Sequence, residues 1–89
     1  MKLNTDFIMQ EMEAGVSVLV PTGDSSQKFH GIIRLNESAA FIVKALAEET
    51  TEEAIVEALG KEYEGTTEQF SASVANTLAK LREVGAIIE

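Results

Sequence analysis

Eighty-nine residues, 45% of them apolar and 25% charged, make one small domain spanning 1–89 and leave no length for a second lobe around a catalytic cleft. The net charge is −8: residues 1–36 carry three basic and four acidic groups, residues 37–89 four and eleven, a balance that repels a nucleic-acid backbone. No apolar run approaches the roughly 18–20 residues of a membrane span and the first residues lack a signal-peptide core, so no membrane association and a cytoplasmic location are expected.

The elements follow in chain order. Residues 7–12 read as a first strand, closed by a turn at Glu13-Ala14-Gly15. Residues 16–20 make a stronger second strand, because Val16, Val18 and Val20 alternate with the period of one buried face. Pro21 cannot donate to a ladder and Thr22-Gly23-Asp24-Ser25-Ser26 is turn chemistry, so the strand is expected to end there. Residues 28–35 form a third strand, and the short connections favour an antiparallel meander.

Beyond Leu35 the period becomes helical. Asn36 is suited to cap a first helix whose stripe is Phe41, Ile42, Ala45 and Leu46, ending near Glu48. Thr50-x-x-Glu53 reads as a capping box opening a second helix through Ile55, Val56 and Leu59, which stops by Gly65; Gly60 weakens its last turn. Thr66-x-x-Gln69 is another such box, starting the longest helix with Phe70, Val74, Leu78, Leu81 and Val84 on one face. Gly85 suits a left-handed C-terminal cap that turns Ala86-Ile87-Ile88 back onto the body. The fold class is α+β: a three-stranded antiparallel sheet followed by three helices, winged-helix-like. Phe41, Ile42, Leu46, Leu59, Phe70, Leu78 and Leu81 are expected to pack over Val16, Val18 and Val20.

The chemistry-bearing residues are sparse. With no cysteine and one histidine, neither a thiolate nucleophile nor the usual zinc ligand set is available. His30 on a strand has no nucleophile elbow to serve, and the glycines never fall into a G-x-G-x-x-G or Walker spacing. Glu52 and Glu53 are explained by the dipole of a first helical turn rather than by a cation. The chain therefore reads as no enzyme, with no cofactor and no metal. A winged-helix regulatory or DNA-associated protein is the alternative, but the third helix bears Glu68, Gln69, Lys80, Arg82 and Glu83 rather than a basic stripe.

Residues 31–46 carry a family resemblance. A strand, then Leu35-Asn36-Glu37, then small residues and an Ile-rich helix resemble the PqqD family of small peptide chaperones, which also serves as a recognition element for ribosomally made, modified peptides. Val18-Leu19-Val20-Pro21, Thr51-Glu52-Glu53-Ala54-Ile55, Tyr63-Glu64-Gly65 and residues 78–87 agree in order, so the resemblance covers nearly the whole chain. The loop 22–27 is longer than a tight hairpin and departs from the pattern, which favours the general peptide-binding role over pyrroloquinoline quinone (PQQ) synthesis. The resemblance implies a precursor leader peptide as partner, added as a strand beside the third strand and presented to a radical SAM or other modifying enzyme. Carried over, Lys28, Phe29, His30, Gly31, Ile32, Ile33 and Arg34 supply the pairing edge, while Val74, Leu78 and Leu81 line or support the helical wall. The same open edge is compatible with a homodimer that competes with the leader. The acidic balance suggests a neutral or weakly basic leader, with Arg34 and Lys80 able to hold a single carboxylate.

Overall fold

The computed structural model describes residues 1–13, 16–22 and 32–89. Strands β1 (Lys2–Leu3), β2 (Phe7–Glu11), β3 (Ser17–Pro21) and β4 (Ile33–Leu35) precede helices α1 (Glu37–Ala45), α2 (Glu52–Glu62) and α3 (Thr67–Glu83), and β5 (Ile87–Ile88) follows. The antiparallel sheet runs β2-β3-β4, as the meander reading expects, and β1 pairs with β5 as a separate ribbon. The sequence reading had no β1. Lys2 and Leu3 pair with Ile88 and Ile87; Leu3 N–H also donates to the Leu46 carbonyl at 2.8 Å, and Asn4 N–H, just past the strand, to that of Ala86 at 2.7 Å.

The register of β3 organises the sheet. Met12 N–H donates to the Val16 carbonyl at 2.7 Å, and Thr22 N–H to that of Asp6 at 2.6 Å, at either end of the β2–β3 ladder. Bonded and non-bonded pairs alternate in an antiparallel ladder, so even-numbered residues of β3 bond β2. Odd-numbered ones, Ser17 and Leu19, bond β4 opposite Leu35 and Ile33. Pro21 lies inside β3 opposite Phe7, beyond the expected end of the strand. Its missing N–H is on the side away from β2, so it costs that ladder nothing.

Side-chain parity corrects the sequence reading. Leu19, with its cross-strand neighbours Met9 and Ile33, faces the helices, and Leu19, Phe7 and Leu35 belong to the core. Val16, Val18 and Val20 lie on the other face, where Val16 is exposed, Val18 is buried between Gln10 and Arg34, and Val20 is half-buried. Alternation identifies a face of a strand but not which side is covered, and here the helices cover the face holding Leu19. Ile42 and Leu46, Ile55 and Leu59, and Val74, Leu78 and Leu81 complete the core from the three helices, while Phe41 and Phe70 pack at its margin.

The helix ends follow local chemistry. Asn36 Oδ1 accepts from the Ala39 amide at 2.8 Å, as a cap should. The second cap is Thr51 rather than Thr50: its Oγ1 accepts from Ala54 N–H at 3.2 Å, while Thr50 N–H goes to the Met1 carbonyl. Three residues past Thr51 stands Ala54, with no side-chain acceptor, so the expected reciprocal box does not form. Thr66 and Gln69 do form one, at 3.0 and 3.1 Å. Gly85, at φ +79°, closes α3 in a Schellman motif, with Ala86 N–H donating to the Leu81 carbonyl and Gly85 N–H to that of Arg82.

Two measurements check this assignment. In equilibrium denaturation Leu19→Ala should cost about 2–5 kcal/mol, whereas Val16→Ala should cost less than about 0.5 kcal/mol; the reverse order would return the core to the valine face. Asn36→Ala should cost about 1 kcal/mol, and a loss below about 0.3 kcal/mol would remove its capping role.

Candidate functional site

β4 is bonded to β3 on one side, and among the described residues no strand covers its other side. Because Ile33 and Leu35 direct their backbone groups to β3, Arg34 between them directs its N–H and C=O to the open edge. An uncovered strand edge of this kind is a template for a further strand.

Beside that edge lies a groove of about 130 Å³ between β4, the start of α1 and one flank of α3. Its strand wall is Ile33 to Leu35, and the Asn36 cap brings Ser38 and Ala39 to one end. Ser73, Thr77 and Lys80, at helical spacings of four and three, form the opposite wall, and Leu81 contributes from the core. By strand parity the Arg34 side chain lies with Val18 on the outer face, so Arg34 lines the groove with its backbone; Lys80 is the cationic side chain of the described lining, which contains no carboxylate. In a chain of net charge −8 the groove is a local exception.

The residues singled out from the sequence fall into three groups. Lys28, Phe29, His30 and Gly31 lie outside the described residues. Ile32 is exposed, Arg34 is exposed on the edge, and Ile33 is half-buried against the core. Val74 and Leu78 are fully buried, so they brace the helical wall from behind, while Leu81 is buried and also lines the groove. Ser73, Thr77, Ser38 and Ala39 were missed as lining residues. The recurrence of small or polar side chains one flank away from the Val74–Leu78–Leu81 stripe is the signal that could have found them.

The outer sheet face is apolar as well: Ile8, Met12, Val16 and Ile32 are 50%, 58%, 37% and 57% exposed. At its margin Lys44 Nζ lies 2.8 Å from Glu11 Oε1, and this hydrogen bond and charge hold the carboxyl below its ordinary value and raise the ammonium. Partial burial, then the carboxylates of Glu37 and Glu62, raise the Tyr63 phenol, whose ring meets Phe41 edge-on at 5.9 Å. No group of three or more metal-ligating side chains occurs among the described residues.

Comparison with known proteins adds the following. The family described as Coenzyme PQQ synthesis protein D (PqqD) matches residues 17–87. Two solved structures have the same fold. One is TbiB1 in complex with the TbiA(beta) leader peptide, at 19% identity and a TM-score of 0.74 over 93% of this chain and 90% of that one. The other is lasso peptide synthetase B1 complexed with the leader peptide, at 24% identity and a TM-score of 0.75 over 99% and 96%. No curated protein matches the chain.

The Glu11–Lys44 pair gives a pH test. A lowered carboxyl pKa means that its contribution to stability is present above the ordinary glutamate value and is lost as pH falls through the lowered one. Carboxyl NMR titration should place Glu11 below the ordinary glutamate value, and Lys44→Ala should raise it back toward that value. An unchanged Glu11 midpoint in that variant would remove Lys44 as the cause.

Proposed function

The chain belongs to the PqqD family, and we propose that it is a non-catalytic adaptor that binds the leader of a ribosomally made precursor peptide and presents it to a modifying enzyme. The observation that carries this reading is the open β4 edge beside a groove of opposite charge to the rest of the chain. Both similar structures contain leader peptides, which supports the same class of ligand here.

On this reading the leader becomes a fourth strand. Its backbone exchanges hydrogen bonds with Arg34, and alternate side chains enter the groove between β4 and the Ser73–Thr77–Lys80 flank. Affinity comes from backbone pairing and apolar contact with Leu81, while Lys80 selects a carboxylate-bearing position; the Arg34 side chain, on the outer face, does not share in it. Net charge alone suggests a neutral or weakly basic leader; the local lining favours an acidic residue at this point, because charges within a few ångströms outweigh screened distant ones. Ordering an extended peptide is unfavourable, so binding near micromolar, about −8 kcal/mol, is expected for the leader alone. The adaptor works in the cytoplasm, and a radical SAM enzyme is one class of modifying enzyme it serves. A homodimer formed through β4 would occupy the same edge and compete with the leader.

The test is NMR titration of the labelled chain with the synthetic leader of a ribosomally made precursor peptide. Shifts should concentrate in residues 32–39 and 73–81. Arg34→Pro removes the outward N–H and should weaken binding about tenfold, near 1.4 kcal/mol. Thr77→Trp, which fills the groove from its helical wall and leaves the backbone donors and acceptors of the strand in place, should weaken it at least as much. Saturable shifts elsewhere, or saturable binding to duplex DNA alone, would overturn the adaptor reading.

A further inference from the structure

A second groove, of about 690 Å³, lies between α2 and the N-terminal end of α3. Half-buried Val56 and Phe70 give it an apolar floor, and Glu52, Glu53 and Glu57 stand along its α2 side with no Lys or Arg in the lining. Ser71 of this groove and Ser73 of the first are only two residues apart on α3, about 3 Å along its axis, but they are turned about 200° from each other around it, so the two grooves open on different flanks of the helix.

Gly60 is the second observation. It sits inside α2, where glycine destabilises a helix relative to alanine. Packing does not require it: an added Cβ would come no closer than 3.9 Å to the Phe70 ring, an ordinary contact. What the missing side chain does is leave the groove open above Phe70. Gly65 at the far lip is different, since a Cβ there would lie 3.0 Å from Gln69 Oε1 and 3.2 Å from Phe70 Cζ.

We propose that this groove is the docking site for the modifying enzyme, receiving a cationic segment that places one bulky apolar side chain over Val56 and Phe70. The inference rests on the adaptor reading and adds where its second partner binds. Charge complementarity selects the occupant. Three carboxylates flank an apolar floor, so a lysine- or arginine-bearing amphipathic segment is attracted, and a second copy of this acidic chain is repelled. The leader groove has the opposite charge, which keeps the two ligands from exchanging places.

The first probe is a short amphipathic lysine–leucine peptide, with a glutamate–leucine peptide of the same pattern as its control. Added to the labelled full chain, the lysine peptide should shift Val56, Gly60, Phe70 and Ser71 and lose affinity with salt, and the control should not bind. Gly60→Ala should raise the melting temperature yet weaken this binding, and Gly60→Leu should weaken it about tenfold or more. A helix glycine of purely structural consequence would alter stability and leave binding unchanged. The second probe is the enzyme that modifies the precursor whose leader the chain binds. Glu53→Lys with Glu57→Lys should weaken its hold on the leader-loaded chain about tenfold while leader affinity stays constant. Shifts spread over all acidic surfaces, a leader that itself occupies this groove, or unchanged enzyme affinity would each overturn the assignment. The adaptor reading fails by a separate readout, the absence of leader shifts in residues 32–39 and 73–81.

Discussion

β3 joins the two halves of the molecule through a single choice of register. Its even-numbered backbone groups bond β2 and its odd-numbered ones bond β4. That parity sends Leu19 into the core and Val16 to the outer face, and it turns the peptide group of Arg34 outward. A slip of one residue would put Val18 and Val20 under the helices and exchange the roles of Ile33 and Arg34. The packing of Leu19 against Phe7, Leu35 and the helical core therefore also fixes which backbone groups the edge strand offers.

α3 is the other shared element. Val74, Leu78 and Leu81 are buried to within 1% of completely, which anchors one face of a 17-residue helix from its third turn to its last. Its ends are fixed too, by the reciprocal Thr66–Gln69 cap and by the Schellman turn at Gly85. Different parts of this helix then meet different surroundings. Thr67, Phe70 and Ser71 meet the glutamates of α2, while Ser73, Thr77 and Lys80 meet β4 and the start of α1. Opposite local charges can coexist on so small a body because exposed charges are screened over roughly 8–10 Å in physiological salt.

Much of this was legible in the sequence, because the signals are local. Order and type of the main elements, the Asn36 cap, the Thr66–Gln69 box and the Gly85 turn each depend on residues within a few positions of one another. The failures were all non-local. The cap expected at Thr50 lies at Thr51, and Thr50 is instead bonded through its N–H to Met1, 49 residues away. β1 has two residues and exists through partners at 46, 87 and 88. The valine alternation is real, but only the docking of the helices decides which face of β3 it marks. The same limit applies to the site. Val74, Leu78 and Leu81 were visible as a stripe, yet whether a stripe lines a groove or supports it is a matter of what packs on it.

The adaptor reading requires no moving part. The leader groove is bounded by a capped helix start, an anchored helix and a strand tied to the central strand, so most ordering on binding falls on the peptide. Such a ligand binds with modest affinity, since part of its interaction energy offsets its own loss of freedom. Modest affinity suits a peptide that must be released after modification. An enzyme docked on the other flank of α3 would then gain the tethered leader at high effective concentration, without a conformational signal passing between the grooves. Allosteric coupling would demand an element with two discrete arrangements biased by both ligands. α3, with its buried stripe and both ends capped, has the character of a rigid spacer, so on this reading leader and enzyme bind additively and the gain in rate comes from proximity.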